Sequence, residues 1–110
     1  MVKIGSWADA LIDVIDAALT AVSEDRPHDV SPWIYLEETL GAEQVKLLWR
    51  DPKLGPVAKA VDHYCEAAQH DRDIVFGEIS ILSVEALLRE TRARMKAGEE
   101  VFIEKFSAFA

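Results

Sequence analysis

Cysteine occurs once in this 110-residue chain, at Cys65, so no disulfide can form within it and the fold must rest on its apolar core. Proline and glycine are sparse, at four and five residues, which argues against a disordered or loop-dominated chain. Long apolar runs are missing too. The longest stretches without charge, at 17–23 and 30–36, are seven residues each, where a membrane-spanning helix needs roughly 20 apolar residues. Only Lys3 precedes Asp9, which argues against a secretory leader. Cations are scarce as well, with 12 Lys and Arg against 20 Asp and Glu and a formal charge of −8. Such an excess repels phosphate backbones and anionic lipid and attracts basic surfaces. The expectation is a single domain over 1–110, cytoplasmic and with a reduced thiol, with no membrane partner and no direct nucleic-acid ligand.

Half of the residues are hydrophobic, and their spacing is helical. Trp7, Leu11, Val14, Ile15, Ala18 and Val22 share one side of a helix over about 7–23, with Ser6 as its N-cap, while Asp9, Asp13, Asp16 and Thr20 line the opposite side. Residues 24–30 carry three acids and a proline and read as a connector. Ser31 and Pro32 open a second helix that Gly41 ends, a third covers about 42–50, and Pro56 starts a fourth that runs to about Gln69. Trp33 and Trp49 take inward positions in the second and third helices, and Cys65 lies with Val57, Val61, Tyr64 and Ala68 on the apolar side of the fourth.

The segment 73–88 is apolar nearly all round, which suits an enclosed helix, although its β-branched residues and Gly77 also suit a strand. No separate strand-like run is available to pair with it, so length favours a helix continuing through Arg89, Arg92 and Lys96 to Gly98. A last helix over about 99–108 aligns Phe102, Phe106 and Phe109. The fold class expected is all-α, a compact bundle of five or six helices around a central apolar helix at about 73–97.

Chemistry-bearing patterns are thin. His63, Glu66 and His70 stand at i, i+3 and i+7 on the polar side of the fourth helix, a spacing that could hold one ion, yet the chain offers no evident further ligand, and an exposed polar face with an ion pair is the favoured reading of the trio. The doublets of His28 with Asp29 and of His70 with Asp71 lack the downstream aspartate that metal-dependent phosphohydrolases of all-α type require. No histidine follows an arginine at the four-to-six-residue spacing of small helical ribonucleases. Cys65 has no histidine in reach, the serines sit in no nucleophile motif, and no Gly-rich phosphate loop is present. No cofactor, metal or catalytic residue is expected.

What remains is charge and aromatic surface. Asp9, Asp13 and Asp16 form an acidic ridge that Glu24 and Asp25 extend, and like charges so placed repel until a basic partner relieves them. Arg89, Arg92 and Lys96 form a basic stripe able to satisfy acids within the monomer or across a dimer. The expected function is therefore non-catalytic: an acidic protein-binding module of inhibitor, immunity or anti-defence type. It would mask a basic surface of a partner protein, with its carboxylates imitating nucleic-acid phosphates. Two alternatives stand beside it: an oligomeric assembly subunit with Phe102, Phe106 and Phe109 as its seam, and a small metal-dependent enzyme using His63, Glu66 and His70.

Overall fold

A computed structural model describes residues 4–110, with side chains from Ser6 onward. Five α-helices follow in order: α1 (Ile4–Ser23), α2 (Pro32–Leu40), α3 (Ala42–Arg50), α4 (Gly55–Gln69) and α5 (Ile81–Lys96). A 3-10 turn at Pro27–Asp29 links α1 to α2, a hairpin of β1 (Ile74–Phe76) and β2 (Ile79–Ser80) links α4 to α5, and a 3-10 helix at Ile103–Phe109 closes the chain. The architecture is all-α apart from that hairpin, and the buried apolar residues other than Ala21 form one connected cluster.

Local chemistry sets the boundaries. Gly41, at φ 90°, ends α2 and starts α3, taking a left-handed backbone that residues with a Cβ adopt at a cost. The Asp51 carboxylate accepts from the backbone N–H groups of Lys53 (3.0 Å) and Leu54 (2.8 Å), folding the chain between α3 and α4. The Ser80 hydroxyl accepts from the Ser83 N–H at 3.2 Å and caps α5. Ser6 is not the cap of α1, because that helix begins upstream of it at Ile4.

The expected helix over 73–97 is two elements. Residues 74–80 fold back on themselves through Gly77 and Glu78, with Gly77 at φ 56° and Glu78 on the ordinary side, the glycine-first pattern of a type II′ turn. β1 finds its partner in β2, the next few residues of the same apolar run. Nor is α5 the centre of the bundle, since it buries only Val84, Leu88 and Thr91. That place belongs to α4, which touches α1, α2, α3, α5, β1 and both 3-10 segments. Small residues allow such close approach on many sides: Gly55, Ala58, Ala60 and Ala67 are buried alongside Val57, Val61 and Tyr64. At Gly55 a Cβ would lie 2.6 Å from the Trp49 carbonyl oxygen, so α3 and α4 meet there at a distance that only glycine permits.

The terminal 3-10 helix seals this core. Phe106 and Phe109 insert beside α4, while Arg94 holds the approach, donating from Nε to the Glu100 carbonyl at 2.9 Å and stacking its guanidinium 3.8 Å over the Phe102 ring. No helix among the described residues is long and apolar enough to cross a membrane.

Candidate acidic contact surface

The apolar stripe of α1 is buried as its spacing requires, with Trp7, Leu11, Val14, Ile15 and Ala18 in the core. The carboxylates opposite have different fates. Asp9 and Asp13, one turn apart, are exposed and belong to no ion pair among the described residues. Asp16 is claimed from within: Arg92 Nη1 donates to its Oδ1 at 2.6 Å, and Lys96 Nζ lies 3.4 Å from its Oδ2. Burial by itself would raise the Asp16 pKa, but the hydrogen bonds and charges of Arg92 and Lys96 outweigh it and hold the carboxyl below the ordinary aspartate range. Asp16 therefore clamps α1 to α5 and leaves the exposed ridge.

The far end of α1 is a separate place. At 1.5 Å per residue, the last residue of α1, Ser23, lies roughly 21 Å along the helix from Asp9, and Glu24 and Asp25 follow in the turn beyond it. Glu24 is bound there by Arg26 at 2.7 Å, and the same guanidinium holds Asp29 at 2.7 Å. Asp25 follows with a left-handed backbone at φ 59° and an exposed side chain. The five acids expected to act as one ridge thus divide into an open pair, Asp9 and Asp13, a neutralised link at Asp16, and a distant corner at Glu24 and Asp25.

The charge ledger of the whole surface follows the same pattern. Among the described lysines and arginines, all but Arg50, Lys53 and Lys59 lie within 4.0 Å of a carboxylate. The basic stripe is consumed in this way, since Arg89 faces Glu85 at 3.6 Å while Arg92 and Lys96 face Asp16. Internal pairing uses up most of the cations, and the surplus of negative charge is left on the surface.

The other candidates do not assemble. The His63 ring packs against both Phe76 and Phe109, with centroids at 5.2 and 5.8 Å, Glu66 pairs with Arg72 at 3.1 Å, and His70 caps the end of α4 through its backbone. Among the described residues no group of three His, Cys, Asp or Glu is placed to hold a metal ion. The aromatic seam is likewise dissolved, because Phe106 and Phe109 are spent in the monomer's core and only Phe102 reaches the surface. Cys65 is buried, which pushes its thiol up to about 12, with the Asp62 charge adding to the effect.

Two surface features have no counterpart in the sequence-based expectations. A cleft of about 610 Å³ opens between the start of α1, the turn after α3 and the segment after α5, lined by Ala8, Leu54, Met95, Val101 and Ile103 among others. A groove of about 430 Å³ runs between α4 and the hairpin. The signal for the second was the Gly77-Glu78 step between two short apolar runs rich in β-branched residues. No family model, no curated protein and no solved structure matches the chain.

Proposed function

We propose that this chain is a non-catalytic, acidic protein-binding module that masks a cationic surface on a partner protein, in the manner of an inhibitor or immunity protein. One observation carries the reading: internal ion pairs consume most of the chain's cations, while Asp9 and Asp13 stand exposed one turn apart on the outward face of α1. Mutual repulsion at that spacing costs roughly 0.2–0.5 kcal/mol, which a lysine or arginine of a partner reverses on contact. The net charge of −8 adds a long-range field that steers a basic partner and raises association rates by about 10–10³-fold.

The test is affinity capture from native lysate on immobilised protein, comparing the wild-type chain with the double variant Asp9→Lys, Asp13→Lys. Both side chains are exposed, so the variant should keep its helical circular dichroism. Proteins retained by the wild type, released by moderate salt and missing from the variant support the reading. Equal retention by both removes α1 as the contact surface.

A further inference from the structure

We propose that the β-hairpin and the groove beside it form a second docking site, for a protein segment that presents one apolar side chain flanked by lysine or arginine. It rests on the preceding reading only for the sign of the partner's charge. The hairpin departs from ordinary surface chemistry. Ile74 and Phe76 point the same way from β1 and are each 44% exposed, while Val75 between them turns into the core. Neighbouring apolar groups displayed on a strand of a small domain mark a contact surface more often than scattered exposed residues do.

Phe76 is also held in place. Its ring sits 5.2 Å from His63 and 5.7 Å from Phe109, and Phe109 is itself buried. An aromatic so braced loses little freedom on binding, which is what makes such side chains effective anchors. Beside it the groove offers about 430 Å³ between His63 and Glu66 of α4 and Ile74 and Gly77 of the hairpin. That lies within the range of roughly 300–1,000 Å³ typical of ligand pockets and suits a single large side chain.

Charge selects the occupant. Asp71, Asp73 and Glu78 flank the strands, are exposed, and belong to no ion pair among the described residues. The permanent cation lining the groove, Arg72, is drawn to Glu66 at 3.1 Å. A second copy of this chain would bring like-charged rims together, which works against association. A segment with basic residues on both sides of its apolar anchor meets Asp73 and Glu78 with opposite charge.

The test uses three short fluorescent peptides: one with a single leucine between pairs of lysines, one with serine in place of the leucine, and one with glutamates in place of the lysines. The proposal expects the first alone to bind, with amide NMR shifts centred on His63, Val75, Phe76 and Gly77. Affinity should fall about tenfold in Ile74→Ser, the loss of a modest hot spot, and severalfold in Asp73→Lys with Glu78→Lys. Phe76→Ser is read alongside its melting curve, and Ile74→Ser, farther from the core aromatics, keeps the test valid if Phe76→Ser unfolds. Absence of binding up to millimolar peptide, or equal binding of the serine peptide, overturns the proposal. If Asp9→Lys with Asp13→Lys abolishes binding and Ile74→Ser does not, the site on α1 stands and the hairpin site falls. A concentration-dependent dimer that Ile74→Ser dissociates overturns it in favour of self-association.

Discussion

Replacing Phe106 by alanine separates two accounts of the C-terminal aromatics. Phe106 is fully buried, at 0% exposure, where the terminal 3-10 helix meets α4. Losing its ring forfeits the transfer of a buried aromatic, roughly 1.5–3 kcal/mol, and the cavity left behind brings the total to about 3–5 kcal/mol. Phe102 is 36% exposed and held mainly by the Arg94 guanidinium at 3.8 Å and the Lys105 ammonium at 4.8 Å. Its removal should cost only about 0.5–1 kcal/mol. For a chain of this size, with roughly 4 °C of melting temperature per kcal/mol, the two variants should melt about 12–20 °C and 2–4 °C below the wild type. Thermal and urea unfolding followed by circular dichroism give both numbers, and sedimentation shows whether either variant changes the mass of the particle. A Phe106→Ala cost under about 1 kcal/mol, well below the core range, would refute the placement of the terminal helix. So would a dimeric wild type that Phe106→Ala converts to a folded monomer.

Gly55→Ala should destabilise by about 1–3 kcal/mol, the usual range for overpacking, because its Cβ would press on the Trp49 carbonyl; urea titration measures it, and a neutral result would mean that α3 and α4 are farther apart. Asp16→Asn should lower stability at neutral pH by about 0.2–1 kcal/mol, the scale of partly exposed ion pairs. The folded carboxyl is depressed, so its contribution is present above the unfolded pKa and is lost as pH falls through the folded value; the variant's deficit should therefore close in acid. Asp62 behaves in the opposite way: burial first, then the Glu66 charge, raise its carboxyl against the pull of His63. Asp62→Asn should then be more stable than the wild type at neutral pH, with the gain disappearing as acid protonates the wild-type carboxyl, and melting across a pH series reads both variants. His63→Ala should cost about 1 kcal/mol of packing against Phe76 and Phe109, on the scale of aromatic pairs, and should leave zinc content unchanged. One zinc per wild-type chain, lost in this variant, would contradict that account.

The helical elements were legible where sequence punctuation and periodicity agree. Gly41, the Asp51-Pro52 step and Pro56 mark the ends of α2, α3 and α4, and the structure places these boundaries within a residue of that reading. The hairpin was not legible as such, because 74–88 concatenates a strand, a turn, a second strand and a helix into one apolar run. A window wide enough to detect helical period averages over the Gly77 turn, and the pairing partner of β1 lies within the same run, not in a separate one. The centrality of α4 was hidden for a different reason: alanine and glycine carry little apolar area per residue, yet they let neighbours approach most closely. On the site, exposure of Asp9 and Asp13 follows from the α1 stripe alone. The capture of Asp16 by Arg92, 76 positions away, depends on the crossing of α1 and α5, which no local pattern encodes.

Steering by the α1 carboxylates is tested most directly by the association rate constant of the captured partner, measured by stopped flow across a range of ionic strength for the wild type and for Asp9→Asn with Asp13→Asn. The rate for the wild type should fall steeply as salt is added, and the double variant should start lower and fall less. Rates that coincide at every ionic strength would contradict the claim that this acidic face recruits a cationic partner.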